Sequence, residues 1–298
     1  MNITAETVKQ LRERTGAGMM ECKRALVETR GDLDAAAELM RKSGLAKADK
    51  KAARIAAEGI VALERDRLSA ALVEVNCETD FVARSEEFRA FARDLARAAL
   101  ERSPPSVEAL LEMDSAALEN RRRALIAKIG ENIAVRRCAR LSARTALGAY
   151  IHNNSRIGSL VALEGGSEAL ALDLAMHVAA INPAYLDAAA VPGPVLEKER
   201  EILTEQTKGE KKPPEIIAKM VEGRLRKFLA EITLLGQPFV KDPEITVEKL
   251  LKKSGAKVVE FVRYEVGAGI EKKRDDFVGE VMAQVAGPSK GRDGPKQH

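Results

Sequence analysis

The sequence predicts an α+β protein with a small N-terminal three-helix domain, a two-part core with small antiparallel sheets, a projecting antiparallel helical hairpin and a C-terminal helical module. Three observations lead to this prediction. Apolar residues recur at helical spacing near the N-terminus, short β-like runs alternate with helices in the centre, and a strongly charged stretch interrupts the second half. A chain of 298 residues, 45% hydrophobic and 32% charged, is long enough for two or three packed domains.

The first segment predicts three short helices, one ending near residue 15, one over 19–31 and one ending near residue 43. Thr4 and Asp32 are residue types that cap helix N-termini, and glycines follow the first two helices. Ser43-Gly44 is expected to stop the third helix. The segment 47–54 contains four basic residues and many alanines, and we expect it to be a connector.

The centre predicts a β-hairpin followed by helices. The hairpin strands fall at 58–63 and 69–75, with a charged turn between them. A helix is expected from Ser85, where Glu86 and Glu87 suit its positive N-terminus. Ser103-Pro104-Pro105-Ser106 ends it, and a further helix to about residue 129 and a strand over 133–141 follow.

A strand followed by a helix occurs twice in the sequence. Residues 72–75 lead to a helix at 94–96, and residues 160–163 lead to a helix at 173–175. The first copy contains nine more residues, which fall around 76–83. Because loops added to a stable frame often carry function, we expect a functional extended loop at this place.

The charged stretch over 195–228 predicts two helices that form a projecting antiparallel hairpin. Pro192-Gly193-Pro194 marks its entrance, and a break at 208–214 separates the two helices. The alternative is a pair of charged helices that pack flat on the core. A strand over 257–266 then returns to the core, and the residues from 287 have the composition of a flexible tail.

Composition and motifs exclude several function classes. No apolar stretch is long enough to cross a membrane, and the start lacks the pattern of a secretory signal. The three cysteines are widely separated and there are only three histidines, which argues against a structural zinc site and a disulfide framework. We therefore expect a reducing, cytoplasmic location. We also expect neither a metal nor a cofactor. Phosphate-binding loops, GxSxG and HExxH are also missing, so we favour a binding protein over an enzyme.

A ribosome- or RNA-associated binding module is the rival class. It would use the basic segment 47–54 and the helical hairpin as its contact surface. The net charge of only +4 and the aromatic content of 3% argue against it, because such proteins concentrate basic and aromatic residues. We therefore expect no direct nucleic-acid contact. Salt-dependent retention of RNA would favour the rival.

Thr79-Asp80-Phe81-Val82 is the most specific candidate site. Phe81 is either a core anchor at a strand–helix junction or an exposed wedge beside a carboxylate. An exposed wedge could enter a pocket of a partner, while Asp80 could perturb a cation site or a hydrogen-bond network there.

Three further residues are candidates on local grounds. Met19 and Met20 follow a glycine-rich turn, and adjacent helical residues point in different directions. They form either an adaptable contact surface or one buried and one incidental residue. His152 lies in a polar turn between two strands, where a histidine is usually solvated, whereas His177 on an apolar helix face is expected to be a core residue.

Four blocks in this order closely resemble the bacterial translation elongation factor Ts family. They are residues 11–23 (LRERTGAGMMECK), 74–82 (EVNCETDFV), 128–133 (KIGENI) and 236–240 (GQPFV). The resemblance extends from about Ile3 to Phe277. It implies a guanine nucleotide exchange factor without bond-making chemistry that binds elongation factor Tu with GDP, disrupts magnesium and phosphate binding, and promotes GDP release so that GTP can bind. It also implies that the N-terminal domain is similar to ubiquitin-associated domains and that the hairpin is a coiled coil.

The resemblance also assigns contact residues. Asp80 and Phe81 match an intruding pair that acts near the partner's magnesium ion and between its helices, and the adjacent Thr79 and Val82 are expected to contact the partner with them. The segment 11–20 matches the part of the N-terminal domain that touches the partner's nucleotide-binding domain. The candidates in that segment are Arg12, Met19 and Met20. His152 matches a contact in a core loop. Here Asn153-Asn154-Ser155 replaces the glycine-containing turn that is typical of this motif.

Composition shifts and the resemblance together predict five parts of the chain. The ubiquitin-associated-like domain with its basic linker is 1–55, and the first core subdomain is 56–145. The second core subdomain has two pieces, 146–191 and 229–267, and the coiled-coil hairpin 192–228 is inserted between them. The C-terminal module with its tail is 268–298. Dimerisation through the hairpin 192–228 is a further possibility that the sequence leaves open.

Overall fold

Three helices form the N-terminal part of the computed structural model, which describes residues 3–152, 154–207 and 213–271, with the backbone alone for 45–49 and 114–115. They are α1 (Ala5–Thr15), α2 (Met19–Glu28) and α3 (Leu33–Lys51). The predicted caps are confirmed. Thr4 Oγ1 accepts a hydrogen bond from the Thr7 N–H at 3.2 Å, and Asp32 Oδ1 accepts one from the Asp34 N–H at 2.9 Å.

α3 is longer than the sequence predicted. The expected stop at Ser43-Gly44 and the expected connector over 47–54 are wrong, because the helix continues to Lys51. A Cβ atom at Gly44 would lie only 3.1 Å from the Cβ atom of Ala127 on a later helix. The glycine therefore permits close helix packing here instead of ending the helix, and a tertiary contact overrides a local stop signal.

The first half of the core is a three-stranded antiparallel sheet covered by helices. Its elements are β1 (Glu58–Arg65), β2 (Ser69–Cys77), α4 (Asp80–Arg84), α5 (Glu86–Arg102), α6 (Val107–Ile129) and β3 (Ile133–Ser142). β2 is central and pairs with both β1 and β3. The predicted hairpin, the two long helices and the third strand are confirmed.

The second half repeats this plan with a longer connection. Its elements are β4 (Ala146–Ile151), β5 (Ile157–Glu164), α7 (Glu168–Ile181), α8 (Gly193–Thr207), α9 (Pro214–Ile232), β6 (Pro238–Phe239), β7 (Asp242–Thr246), α10 (Val247–Lys253) and β8 (Lys257–Glu265). The sheet has the order β4-β5-β8, and β6 pairs with β7. A central strand followed by a covering helix, β2 with α5 and β5 with α7, is the repeat that the sequence predicted.

The two sheets pack face to face between helices, so the core has four layers. β2 is buried along its whole length because both of its faces are covered. Val73 and Val75 point to the side of α5 and α6, whereas Leu72 packs with Leu160 of the second sheet. A separate cluster fills the space between the second sheet and α7. This arrangement gives a rigid frame for the segments that follow the central strands.

A carboxylate lies inside the layer between the sheets. Glu74 is fully buried, and its oxygens accept hydrogen bonds from Arg137 Nε at 2.5 Å, Arg136 Nη1 at 3.1 Å and the Gly267 N–H at 2.9 Å. Burial raises the pKa of Glu74, but the bonds from Gly267 and the two arginines outweigh it and hold the pKa below its ordinary value. This network joins β2, β3 and the segment after β8.

The helices α8 and α9 pack against each other. Leu203, Val221 and Leu225 form a cluster to which Leu196 and Phe228 contribute, and it is separate from the clusters of the core. This agrees with a hairpin better than with two helices lying flat on the core. The predicted break at 208–214 falls mostly on 208–212, which lie outside the described residues.

A second unit begins at Gly269. Residues up to Ala268 form one unit, and 269–271 are the described part of the next. The predicted C-terminal module and tail therefore lie largely outside the described residues, from 272 onwards. Among the described residues, no helix is long and apolar enough to cross a membrane.

Candidate functional site

The nine extra residues of the first repeat form a capped helical turn where the sequence predicted an extended loop. Thr79 is the N-cap of α4, and its Oγ1 accepts a hydrogen bond from the Val82 N–H at 3.4 Å. The Thr79 carbonyl accepts the Cys77 thiol at 3.1 Å, and burial raises the pKa of that thiol to about 12. The thiol therefore stays protonated and donates to the turn at neutral pH.

Phe81 projects from this turn into solvent. Its exposed fraction is 80%, the highest of the large apolar residues in the described part of the chain, so the core-anchor alternative is wrong. Val82 and Ala83 point the other way and are buried in the cluster beneath α4. Successive helical side chains differ in direction by about 100°. The expectation that Val82 contacts a partner is therefore corrected, because Val82 supports the turn from below.

Asp80 is the first residue of α4 and is partly exposed. Its carboxylate interacts favourably with the partial positive charge at the N-terminus of the turn. It also forms an ion pair of 2.8 Å with Arg84, one turn later. Both side chains are largely accessible, so this pair contributes little to stability and can be exchanged for another partner. A carboxylate thus lies beside an exposed aromatic ring on one turn.

The turn is held by residues that the sequence analysis did not single out. The Glu131 carboxylate, in the loop between α6 and β3, accepts the Glu78 N–H at 3.1 Å, the Thr79 N–H at 3.0 Å and the Thr79 hydroxyl at 2.7 Å. In return, the Glu78 carboxylate accepts the Asn132 N–H at 2.6 Å. The KIGENI block could have indicated these hydrogen bonds, because two polar residues follow a helix-ending glycine there.

The same loop contacts the end of the N-terminal domain. The Asn132 side chain donates to the Arg54 carbonyl at 2.8 Å, and Lys51 Nζ donates to the Gly130 carbonyl. Arg54 also pairs with Glu78 at 3.5 Å. The end of α3 and the base of α4 are therefore anchored at one junction.

The second group of candidates lies on the N-terminal helices. Met19 and Met20 are 57% and 67% exposed, so the alternative with one buried methionine is wrong. They begin α2 directly after Gly18, and Arg12 is exposed on α1. The core of this domain is formed instead by neighbours such as Leu11, Cys22 and Leu26. The methionines are thus free for an adaptable apolar contact.

His152 lies in the turn between β4 and β5, as predicted. Its ring is exposed, and Nδ1 is 3.3 Å from the hydroxyl of Tyr150. The turn is fixed to the first sheet, since the Ser155 carbonyl accepts the Val61 N–H at 2.8 Å and Arg156 pairs with Glu58. Residue 153 of the expected Asn153-Asn154-Ser155 turn lies outside the described residues.

His177 is the buried core residue that the sequence predicted. Its Nδ1 accepts the Val240 N–H at 3.1 Å, which leaves Nε2 to donate to Gln237 Oε1 at 2.9 Å. Burial lowers the pKa of His177, and the bond to Gln237 opposes this. The GQPFV block therefore fixes α7 to β6, and His177 has a structural role.

The candidate residues lie on α1, α2, α4 and the turn between β4 and β5, and the structure brings Asp80 and Phe81 together on one turn. No cluster of three His, Cys, Asp or Glu side chains suited to a metal ion occurs within residues 3–152, 154–207 and 213–271. What these elements offer instead is exposed apolar and polar side chains on a rigid α+β frame. These are the features of a protein that binds a macromolecular partner.

Comparison with known proteins identifies the family. The family model described as Elongation factor TS matches residues 78–268, and the chain belongs to the elongation factor Ts family. It is 60% identical to the elongation factor Ts of Thioalkalivibrio sulfidiphilus over 293 residues, covering 96% of this chain and 100% of that protein. It is 56% identical to that of Francisella tularensis subsp. novicida over 289 residues, covering 96% and 99%. Membership supports a role as a nucleotide exchange factor in translation elongation.

Proposed function

We propose that this protein is the guanine nucleotide exchange factor of elongation factor Tu. It binds the partner with GDP, disrupts magnesium and phosphate binding, and promotes GDP release so that GTP can bind. The observation that carries the proposal is the 80% exposure of Phe81 beside Asp80 on a capped turn. A large aromatic side chain in solvent has no role in the fold that would explain its position, and it suits a partner's pocket.

Exchange requires differential binding and no bond-making step. If the factor binds the nucleotide-free partner more tightly than the nucleotide-bound partner, it must weaken nucleotide affinity by the same factor. In this proposal Phe81 enters between helices of the partner as a wedge, and the wedge stabilises the conformation with poor phosphate contacts. Asp80 lies next to it and perturbs the magnesium site electrostatically.

The other candidates provide affinity. Arg12, Met19 and Met20 form a contact with the partner's nucleotide-binding domain, and His152 forms one from the second half of the core. Their exposure supports this assignment. Thr79 acts within the protein as the cap of the turn. We further propose a cytoplasmic location, where elongation takes place, and self-association through the hairpin 192–228.

The decisive experiment measures release of labelled GDP from elongation factor Tu at increasing concentrations of the factor. The wild-type protein should accelerate release, and Asp80→Ala should reduce the acceleration by an amount that changes as magnesium is titrated. Asp173→Ala is the matched control, because Asp173 is also partly exposed and pairs with Lys241 at 2.6 Å, away from α4. No acceleration by the wild-type protein would refute the proposed function.

A further inference from the structure

We infer that Glu131 is the positioning residue of the exchange site, because its carboxylate fixes α4 in the conformation that presents Phe81. The inference rests on the proposed function of α4. Glu131 itself lies in the loop between α6 and β3 and is only partly exposed. Its role is therefore to act through the turn and not on a partner.

The turn needs such support because it is too short to hold itself. α4 has five residues, fewer than two turns, and isolated helices of this length are unstable in water. Burial of Val82 and Ala83 fixes one face of α4. The remaining determinant is the backbone direction at Thr79, which is extended at φ −124° and ψ 156°.

Glu131 sets that direction through three hydrogen bonds. A carboxylate only accepts hydrogen bonds, and it has enough lone pairs for the N–H groups of Glu78 and Thr79 and the hydroxyl of Thr79. The hydroxyl carries one hydrogen, and Glu131 takes it at 2.7 Å. The lone pairs of Thr79 Oγ1 are then directed at the Val82 N–H, which is the bond that caps α4.

A glutamine cannot reproduce this arrangement. Its single acceptor oxygen can take both N–H groups, but its NH₂ group can only donate to the Thr79 hydroxyl, so that hydrogen bond is reversed and the negative charge is lost. Glu131→Gln should therefore disturb the turn although it preserves size and shape. Thr79→Ser keeps both the donated and the accepted hydrogen bond and should behave as the wild type, whereas Thr79→Val loses both and should resemble Glu131→Ala.

The first readout is amide hydrogen exchange of residues 78–84 in the protein without a partner. Loss of one charge-assisted hydrogen bond corresponds to a factor of about ten in an opening equilibrium. We expect Glu131→Ala to accelerate exchange at 78–84 by about tenfold or more, with β2 and α5 unchanged. Unchanged protection of 78–84 would overturn the inference whatever the outcome of the functional assay.

The second readout is a double-mutant cycle on GDP release. If Glu131 acts through Phe81, Glu131→Ala should slow release about tenfold in the wild-type background and have little further effect in Phe81→Ala. An equal loss in both backgrounds would show a purely structural role and overturn the inference. Phe81→Ala with wild-type release would refute the proposed wedge instead, and hydrogen exchange would still decide whether Glu131 fixes the turn.

Glu119→Ala is the matched control. Glu119 lies in the middle of α6 and also accepts three hydrogen bonds, from Arg122 and Arg123, at 2.6–2.7 Å. Its removal should lower the free energy of unfolding, because the hydrogen bonds of its carboxylate are lost. It should leave GDP release and the protection of 78–84 against amide hydrogen exchange unchanged. A loss of GDP release equal to that of Glu131→Ala would show that α6 networks act generally and would overturn the specific role of Glu131.

Discussion

Replacing Phe81 by alanine should impair GDP release while leaving the fold intact. Phe81 is 80% exposed, so its removal creates no cavity, and the free energy of unfolding should change by no more than about 0.5 kcal/mol. Phe88, seven residues later, is fully buried in the core cluster of the first sheet. Phe88→Ala should cost roughly 3–5 kcal/mol and serves as the reference for loss of a core aromatic residue.

The expected effect on exchange follows from the same exposure. Complete burial of a phenylalanine side chain contributes about 1.5–3 kcal/mol. Four fifths of Phe81 is exposed and available to a partner, which corresponds to roughly 1.2–2.4 kcal/mol. Because 1.4 kcal/mol is a factor of ten, the efficiency of GDP release should fall roughly 7- to 50-fold. Part of this loss should remain at saturating factor, since a wedge also distorts the bound partner.

Two measurements decide the prediction. Denaturant unfolding gives the stability of both alanine variants, and stopped-flow release of labelled GDP over a range of factor concentrations gives the maximal rate and the half-saturating concentration. A Phe81→Ala protein that is strongly destabilised and yet exchanges at the normal maximal rate would contradict the reasoning. In that case the ring would be an anchor of the fold.

Three further outcomes are expected. Met19→Ala with Met20→Ala should weaken binding of elongation factor Tu without unfolding the domain; an unchanged dissociation constant by calorimetry would remove both from the interface. Replacing 195–228 by a Gly/Ser linker should leave a single cooperative thermal transition, because the apolar cluster of the hairpin is its own; loss of that transition would place the segment in the core. The pKa of Glu74 is lower in the folded state, so its contribution is present above the ordinary value of about 4.3 and is lost as pH falls through the folded pKa. Glu74→Gln should therefore flatten the acid decline in unfolding free energy, and an unaltered decline would contradict the network.

Features set by local chemistry could be predicted from the sequence. Thr4 and Asp32 cap their helices because a hydroxyl or carboxylate bonds to N–H groups two or three residues later. The place of the site was also predictable, since the second strand–helix pair shows how the first would look without its added residues. The form of the addition was not, because Thr79 converts the expected loop into a helical turn.

Features set by distant contacts could not be predicted. Gly44 has the appearance of a helix stop, and only the proximity of Ala127 shows that it serves close packing. Glu131 is far from Thr79 in the sequence, so its three hydrogen bonds could not be inferred from spacing. The burial of Val82 depends likewise on the phase of a helical turn whose start is fixed by its cap.

The pairing of β5 with β8 has a consequence for how the chain folds during synthesis. β5 pairs early with β4, but β8 becomes available only after the whole segment 165–256 has been made. Until then one edge of β5 presents unpaired N–H and C=O groups, which can pair with another chain. Loop closure contributes little to this effect, because halving a loop lowers its closure cost by only about 0.6 kcal/mol. The vulnerable interval is thus set by the late position of β8 in the chain.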